Sequence, residues 1–152
     1  MLFNFSCSDL NFDVVVVGGG TSGVASAIQS SRLGSKTLLI EESNWLGGML
    51  TSAGVSAVDG NYKMPSGFLK EFRDSLVSYY GHLDSLKTGW VSNFMFEPSV
   101  GNRILKDIAK QENNLTILYG STVSEVVKKE KFHIKVKELP SLYKAKILID
   151  AI

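Results

Sequence analysis

A chain of 152 residues, 44% of them hydrophobic, is long enough and apolar enough for one packed domain, which excludes intrinsic disorder. A net charge of +1 gives no reason to expect a nucleic acid or an anionic membrane as partner, and no apolar run approaches the ~18 residues of a bilayer span. The only cysteine, Cys7, has no internal disulfide partner, so a reduced, cytoplasmic setting is the default expectation.

Residues 1–12, MLFNFSCSDLNF, have no basic start of the kind a signal peptide needs and read as a tail. The domain is expected over 13–152. Val14 to Val17 form a short apolar run bounded by glycines, the pattern of a strand buried on both faces of a parallel sheet. Gly18, Gly19 and Gly20 turn the chain. Thr21 to Leu33 reads as a helix that opens on small residues and stops at Gly34. Thr37 to Ile40 is a second apolar strand, followed by Glu41 and Glu42.

Gly18, Gly20 and Gly23 fit G-x-G-x-x-G between a strand and a helix. Each glycine has its own physical reason. The first permits the tight turn, the second lets a pyrophosphate approach the backbone, and the third lets the helix pack closely on the sheet. The helix start, at Thr21 and Ser22, offers unpaired N–H groups and a partial positive charge to phosphates. Glu41 stands about twenty residues on, where a carboxylate can accept both hydroxyls of an adenosine ribose and repel a 2′-phosphate. The pattern predicts a bound dinucleotide.

The stretch from Glu42 to Gly60 is rich in Gly and Ser and reads as a loop crossing the carboxyl edge of the sheet. Within it Gly47 and Gly48 offer another close backbone approach, and Trp45, Leu46, Met49 and Leu50 read as loop packing. Ser66 to Tyr80 is a helix with Ser66 as N-cap and Gly81 as stop. Its stripe of Phe68, Leu69, Phe72 and Leu76 marks core. His82 reads as a solvated loop residue. Trp90, Phe94, Met95 and Phe96 are expected to fold back onto the body. Pro98 opens another helix to about Gln111, with Val100, Ile104, Leu105 and Ile108 buried.

Leu115 to Tyr119 reads as a buried strand and Val123 to Lys128 as the next. Phe132, Ile134 and Val136 alternate with His133, Lys135 and Lys137, as in a half-exposed antiparallel strand. His133 then lies on the wet face. Leu139-Pro140-Ser141 reads as a turn, Tyr143 to Lys146 as the close of a short meander, and Lys146 to Ile152 as a buried parallel strand. Two scattered histidines and one cysteine predict no metal site.

The stretch from Glu42 to Asn114 separates the second strand from the next parallel one, where a crossover with its helix needs only ~10–12 residues or somewhat more. Such an insertion suits a flavoprotein better than a nicotinamide dehydrogenase, though an NAD-binding fragment stays open. The chain resembles the amino-terminal part of the FAD-dependent oxidoreductases of the glutathione-reductase-like class. It is most similar to a bacterial FAD-dependent oxidoreductase family that includes members described as xanthan lyases. The resemblance rests on VVVVGGGTSGVASAIQSSRLG, LLIEE, LGGMLTSAG, FEPSVGNRIL, LYGSTVSEVV and ILIDA, in that order.

The resemblance implies an α/β, Rossmann-like, three-layer FAD/NAD(P)-binding domain with an inserted antiparallel β-meander, ending at its last parallel strand. It implies FAD as cofactor and a small-molecule substrate in the intact relative. Gly18, Gly19, Gly20, Thr21, Ser22 and Gly23 would meet the pyrophosphate, and Glu41, with Glu42 beside it, the adenosine ribose. Leu46, Gly47, Gly48 and Met49 would border the pyrophosphate and the flavin end. Val123 would touch the adenine edge, and Ala151 would open the family's Ala-Thr-Gly-Asp motif. Intact members continue well beyond that motif. The expectation is therefore a flavin-binding piece without turnover of its own, completed by a second polypeptide or left as a non-enzymatic remnant. No catalytic residue is assigned.

Overall fold

A computed structural model describes residues 9–60, 62–87, 89–90 and 92–152; Cys7 lies outside them. The chain runs β1 (Asp9–Val17), α1 (Thr21–Arg32), β2 (Thr37–Ile40), α2 (Gly67–Tyr80), α3 (Pro98–Lys110), β3 (Leu115–Leu118), β4 (Val123–Lys128), β5 (Phe132–Val136) and β6 (Leu139–Asp150). Short 3-10 turns occupy Gly48–Leu50 and Leu83–Leu86. The strands form one six-stranded sheet in the order β3-β2-β1-β6-β5-β4.

β1 is parallel to both neighbours. Val17 stands opposite Ile40 of β2 on one side and Asp150 of β6 on the other, and Ile40 stands opposite Leu118 of β3. Four carboxyl ends therefore finish level. The chain leaves β1 toward β2 and later returns to β1's other side as β6. That reversal of direction is where ligands of open α/β sheets bind.

Alternate side chains divide the core in two. Val14, Val16 and Leu39 pack beneath all three helices, against Val24, Ile28, Phe72, Leu76 and Leu105. Val15, Val17, Leu38 and Ile40 pack on the other face, against Ile134 and Val136 of β5 and Tyr143 and Ala145 of β6. Among the described residues no helix reaches this second cluster, so the meander strands supply its cover. Phe12 and Val15 share the cluster, as do Ala145 and Leu148. That spacing breaks the period of two across Asp13 and Lys146, whose side chains pair at 2.7 Å.

Several expectations are corrected. The strand begins at Asp9, so residues 9–12 are not tail; their backbone pairs with Leu142–Ala145 of β6. β3 is an edge strand and only half-buried, because β2 is its sole neighbour. Leu139-Pro140-Ser141 is no turn. The reversal falls at Lys137–Glu138, and the close of the meander and the last parallel strand are one continuous β6. Its first part pairs antiparallel with β5 and its length from Leu142 pairs parallel with β1. Past Ala145 it has β1 alone, and Ile147 is 55% exposed. Trp90 is 99% exposed and takes no part in folding its segment back. Phe94 and Phe96 do so, packing on Phe72 with ring centroids 6.1 and 5.3 Å away.

The helices begin and end as their residues dictate. Ser66 precedes α2 in extended conformation but its hydroxyl makes no capping bond, while Gly81 ends α2 at φ 87°. Pro98 occupies the first turn of α3. His82 is a solvated residue that accepts from the Asp84 N–H at 3.1 Å. The closest approach is between α1 and the turn after β1. A Cβ on Gly23 would lie 1.8 Å from the Gly18 carbonyl oxygen, so any side chain there drives the helix off the sheet. At the far end of α1, Arg32 holds Glu71 of α2 through two bonds of 2.7 Å and Glu112 after α3 through one of 2.8 Å.

Gly23→Ala is expected to abolish cooperative thermal unfolding, read by circular dichroism, whereas Gly34→Ala costs about 1–2 kcal/mol, the backbone strain of a side chain at φ 88° with open space around it. The Arg32 guanidinium holds the Glu71 carboxyl below its ordinary value of 4.5. The unfolded chain therefore binds the proton more readily. The link contributes fully above pH 4.5 and is lost as pH falls through the lower folded value. Unfolding free energies of wild type and Glu71→Gln from urea titration should differ by about 1 kcal/mol at pH 7, the size expected of a partly exposed pair, and converge as pH falls through the lowered carboxyl value.

Candidate functional site

The level carboxyl ends of the parallel strands enclose a cavity of about 300 Å³. That is the lower end of the ~300–1,000 Å³ usual for small-molecule sites. Gly18, Gly19 and Gly20 after β1, Glu41 and Glu42 after β2, and Ala151 after β6 all line it. Gly48 and Val123 line it as well.

The glycine bend is shaped from both sides. Gly18 lies at φ 98°, and a Cβ there would stand 2.8 Å from the Ala151 carbonyl oxygen. A Cβ on Gly19 would meet the Glu41 carboxylate at 2.7 Å. At Gly20 the nearest atom would be 3.8 Å away, so this position faces open space. Gly20 is also the N-cap of α1. No side chain caps this helix and its first turn holds no acid. Its leading N–H groups, at Thr21, Ser22 and Gly23, are thus left for an anion that approaches Gly20, although those three residues do not themselves line the cavity.

Glu41 is fixed by backbone. One carboxylate oxygen accepts from the Gly19 N–H at 2.6 Å and the other from the Ser43 N–H at 2.8 Å. A carboxylate has about four lone-pair sites, so one per oxygen remains for a neighbouring diol. Burial, and then the Glu41 charge, push the Tyr119 hydroxyl above its ordinary value, so it stays neutral beside the carboxylate. Among the described residues no Lys or Arg lines the cavity. A phosphate here must be held by N–H groups and the helix end.

The loop after β2 clasps the bend. The Gly47 N–H donates to the Gly19 carbonyl oxygen at 2.8 Å, and Thr21 Oγ1 donates to the Gly47 carbonyl oxygen at 3.0 Å. Gly48, at φ 52°, approaches so near that a Cβ would stand 3.0 Å from Gly20 Cα. These residues fit a dinucleotide: a side-chain-free cradle at Gly20, an uncapped helix start and an acid with free lone pairs converge on one space.

Not every expected residue reaches that space. Leu46 is fully buried in the helical core, since its side chain turns inward under α3. Met49 is 68% exposed, and neither it nor Gly47 lines the cavity. Ser43, Ser52, Ser121 and Thr122 do line it and were missed. Ser121 and Thr122 follow β3, and the rule that parallel strands end at the ligand edge could have found them. Ser52 gave no sequence signal. Among the described residues no group of three or more His, Cys, Asp or Glu could hold a metal ion, and no helix is long and apolar enough to cross a membrane.

Known proteins share the sequence and the fold. Glutathione reductase of Debaryomyces hansenii is 42% identical over 69 residues, which is 45% of this chain and 14% of that protein. Dihydrolipoyl dehydrogenase 1, mitochondrial, of Arabidopsis thaliana is 48% identical over 52 residues, 34% of this chain and 10% of that protein. The chain thus spans a small part of the length of the curated relatives it matches. A closed crystal structure of cyclohexanone monooxygenase superposes with a TM-score of 0.63 at 17% identity, over 95% of this chain and 26% of that one. L-proline dehydrogenase from P. horikoshii does so with a TM-score of 0.58 at 20% identity, over 95% and 23%. Both likenesses concern the fold. The model of one family, FAD dependent oxidoreductase, matches residues 13–151. With that match over nearly its whole length, the chain belongs to the FAD dependent oxidoreductase family, as a flavin-dependent oxidoreductase's FAD-binding domain, and its cofactor is FAD.

Proposed function

We propose that these residues hold the adenosine diphosphate portion of FAD in the cavity at the carboxyl ends of β1, β2 and β6. The pyrophosphate lies against Gly18–Gly20 and the leading N–H groups of α1, at Thr21, Ser22 and Gly23. Glu41 accepts from the two ribose hydroxyls, with Glu42 adding negative charge that disfavours a 2′-phosphate. Val123 meets the adenine edge, and Gly48 and Ala151 wall the path from diphosphate toward flavin. The observation that carries this reading is the Glu41 carboxylate, pinned by the Gly19 and Ser43 N–H groups with lone pairs to spare beside the bare Gly20.

The flavin, when bound, supplies the redox chemistry; the chain binds, orients and excludes water. Among the described residues, Glu41 and Glu42 are the titratable side chains lining the cavity, and both are given to the nucleotide end. Turnover on a small-molecule substrate then needs residues beyond this stretch, in the same polypeptide or a second one. A cytoplasmic setting, resting on the low cysteine count, is part of this proposal.

Gly20 has φ −62° and ψ 179°, values open to any residue. Gly20→Ala should therefore keep its melting temperature and lose ADP affinity by tenfold or more, about 1.4 kcal/mol per factor of ten. Glu41→Gln should cost about tenfold, near the worth of one hydrogen bond to a charged group. Isothermal titration with ADP, FAD and NAD measures each. Unchanged affinity in Gly20→Ala overturns the site assignment, and colourless protein that takes NAD but not FAD favours a nicotinamide ligand. Purified chain supplied with FAD should not reduce an added electron acceptor. Measured turnover would refute that part.

A further inference from the structure

The peptide between Leu46 and Thr51 is fastened from outside the cavity by two side chains that the fingerprint does not contain. Asn102 of α3 accepts from the Leu46 N–H through Oδ1 at 2.9 Å. Thr51, itself buried, donates Oγ1–H to the Leu46 carbonyl oxygen at 2.6 Å. Both polar groups of Leu46 are thus taken, and its side chain is fully buried. The next residue has no slack either. A Cβ on Gly47 would lie 2.6 Å from Leu105 of α3 and 2.7 Å from Thr51. Gly47 then grips Gly19 and Thr21, and Gly48 closes on Gly20.

We infer that Asn102 is a positioning residue for the dinucleotide site, acting through Leu46, Gly47 and Gly48 to set the distance between the loop wall and the glycine bend. The inference rests on the cofactor site proposed above. Its logic is mechanical. The bend at Gly18–Gly20 is attached on one side to β1. On the other it meets a loop whose described residues have little regular structure, a single 3-10 turn and isolated bridges at Gly47 and Ala57. Such a loop samples many positions unless its backbone groups are held. Asn102 ties the loop to a rigid element at Leu46, as Lys106 does at the Asn44 carbonyl oxygen, since α3 is packed through Val100, Ile104, Leu105 and Ile108. A cleft whose width is already set does not lose ordering entropy when the cofactor enters.

Asn102→Leu removes the acceptor at similar size, whereas Asn102→Asp retains an oxygen for the Leu46 N–H. Hydrogen exchange of the unliganded protein reads the tie without any cofactor. The Gly47 amide, bonded to Gly19, should exchange about tenfold faster in Asn102→Leu and at the wild-type rate in Asn102→Asp, with core amides of β1 unchanged in both. ADP affinity should fall about tenfold in Asn102→Leu, near 1.4 kcal/mol, and return in Asn102→Asp. Unchanged Gly47 exchange in Asn102→Leu overturns the inference. So does equal loss in both variants, or loss that spreads to β1, which would mean a merely structural side chain. Failure of the wild type to bind ADP would count against the cofactor assignment instead, and would leave the exchange result standing on its own.

Discussion

The contact on which this structure depends is the approach of α1 to the turn that follows β1. Gly23 leaves so little room against the Gly18 carbonyl that the helix start is pressed onto the strand end. Because of that approach the uncapped N–H groups of α1 sit at the mouth of the sheet rather than above it. A dipole that acts over a single turn is useful only at such short range. The valine run beneath provides the floor, buried on both faces by two separate sets of neighbours.

Topology then brings the other groups to the same place. Parallel pairing on both sides of β1 aligns the ends of β2 and β6, so Glu41 and Ala151 arrive beside the glycines without any long-range loop. β6 does two jobs along its length. Its early residues close the meander that covers the second face, and its later residues flank the bend. The change of partner along β6 falls near the Asp13–Lys146 pair, which joins it to β1. The inserted helices α2 and α3 complete the other face, with Arg32 linking all three helical segments at their far end.

The electrostatics of the cavity follow from what is missing from its lining. Among the described residues its lining has the Glu41 and Glu42 carboxylates and no basic side chain, so these residues do not draw phosphate by formal charge. Backbone N–H groups and the helix terminus must do so, which demands closeness and therefore glycine. The same glycines let the loop at Gly47–Gly48 come within contact of the bend. Recognition of the sugar and tolerance of the diphosphate thus come from one tight piece of backbone, with Glu41 oriented by the peptide groups it touches.

Local pattern alone determined the strand-turn-helix-strand at residues 14–42, its three glycines and Glu41, because β-branched runs, glycine turns and small-residue helix starts are decided by neighbours in sequence. It also marked the buried stripes of α2 and α3. Long-range packing decided the rest. Whether Leu115–Leu118 is central or edge depends on which strands flank it, and no residue in LTIL encodes that. Leu139-Pro140-Ser141 looks like a turn by composition, yet an edge position beside β5 lets it continue as strand. Leu46 and Met49 are alike in hydrophobicity. Only the position of α3 sends Leu46 into the core and leaves Met49 in water, because burial is a property of the space around a side chain and not of the side chain itself.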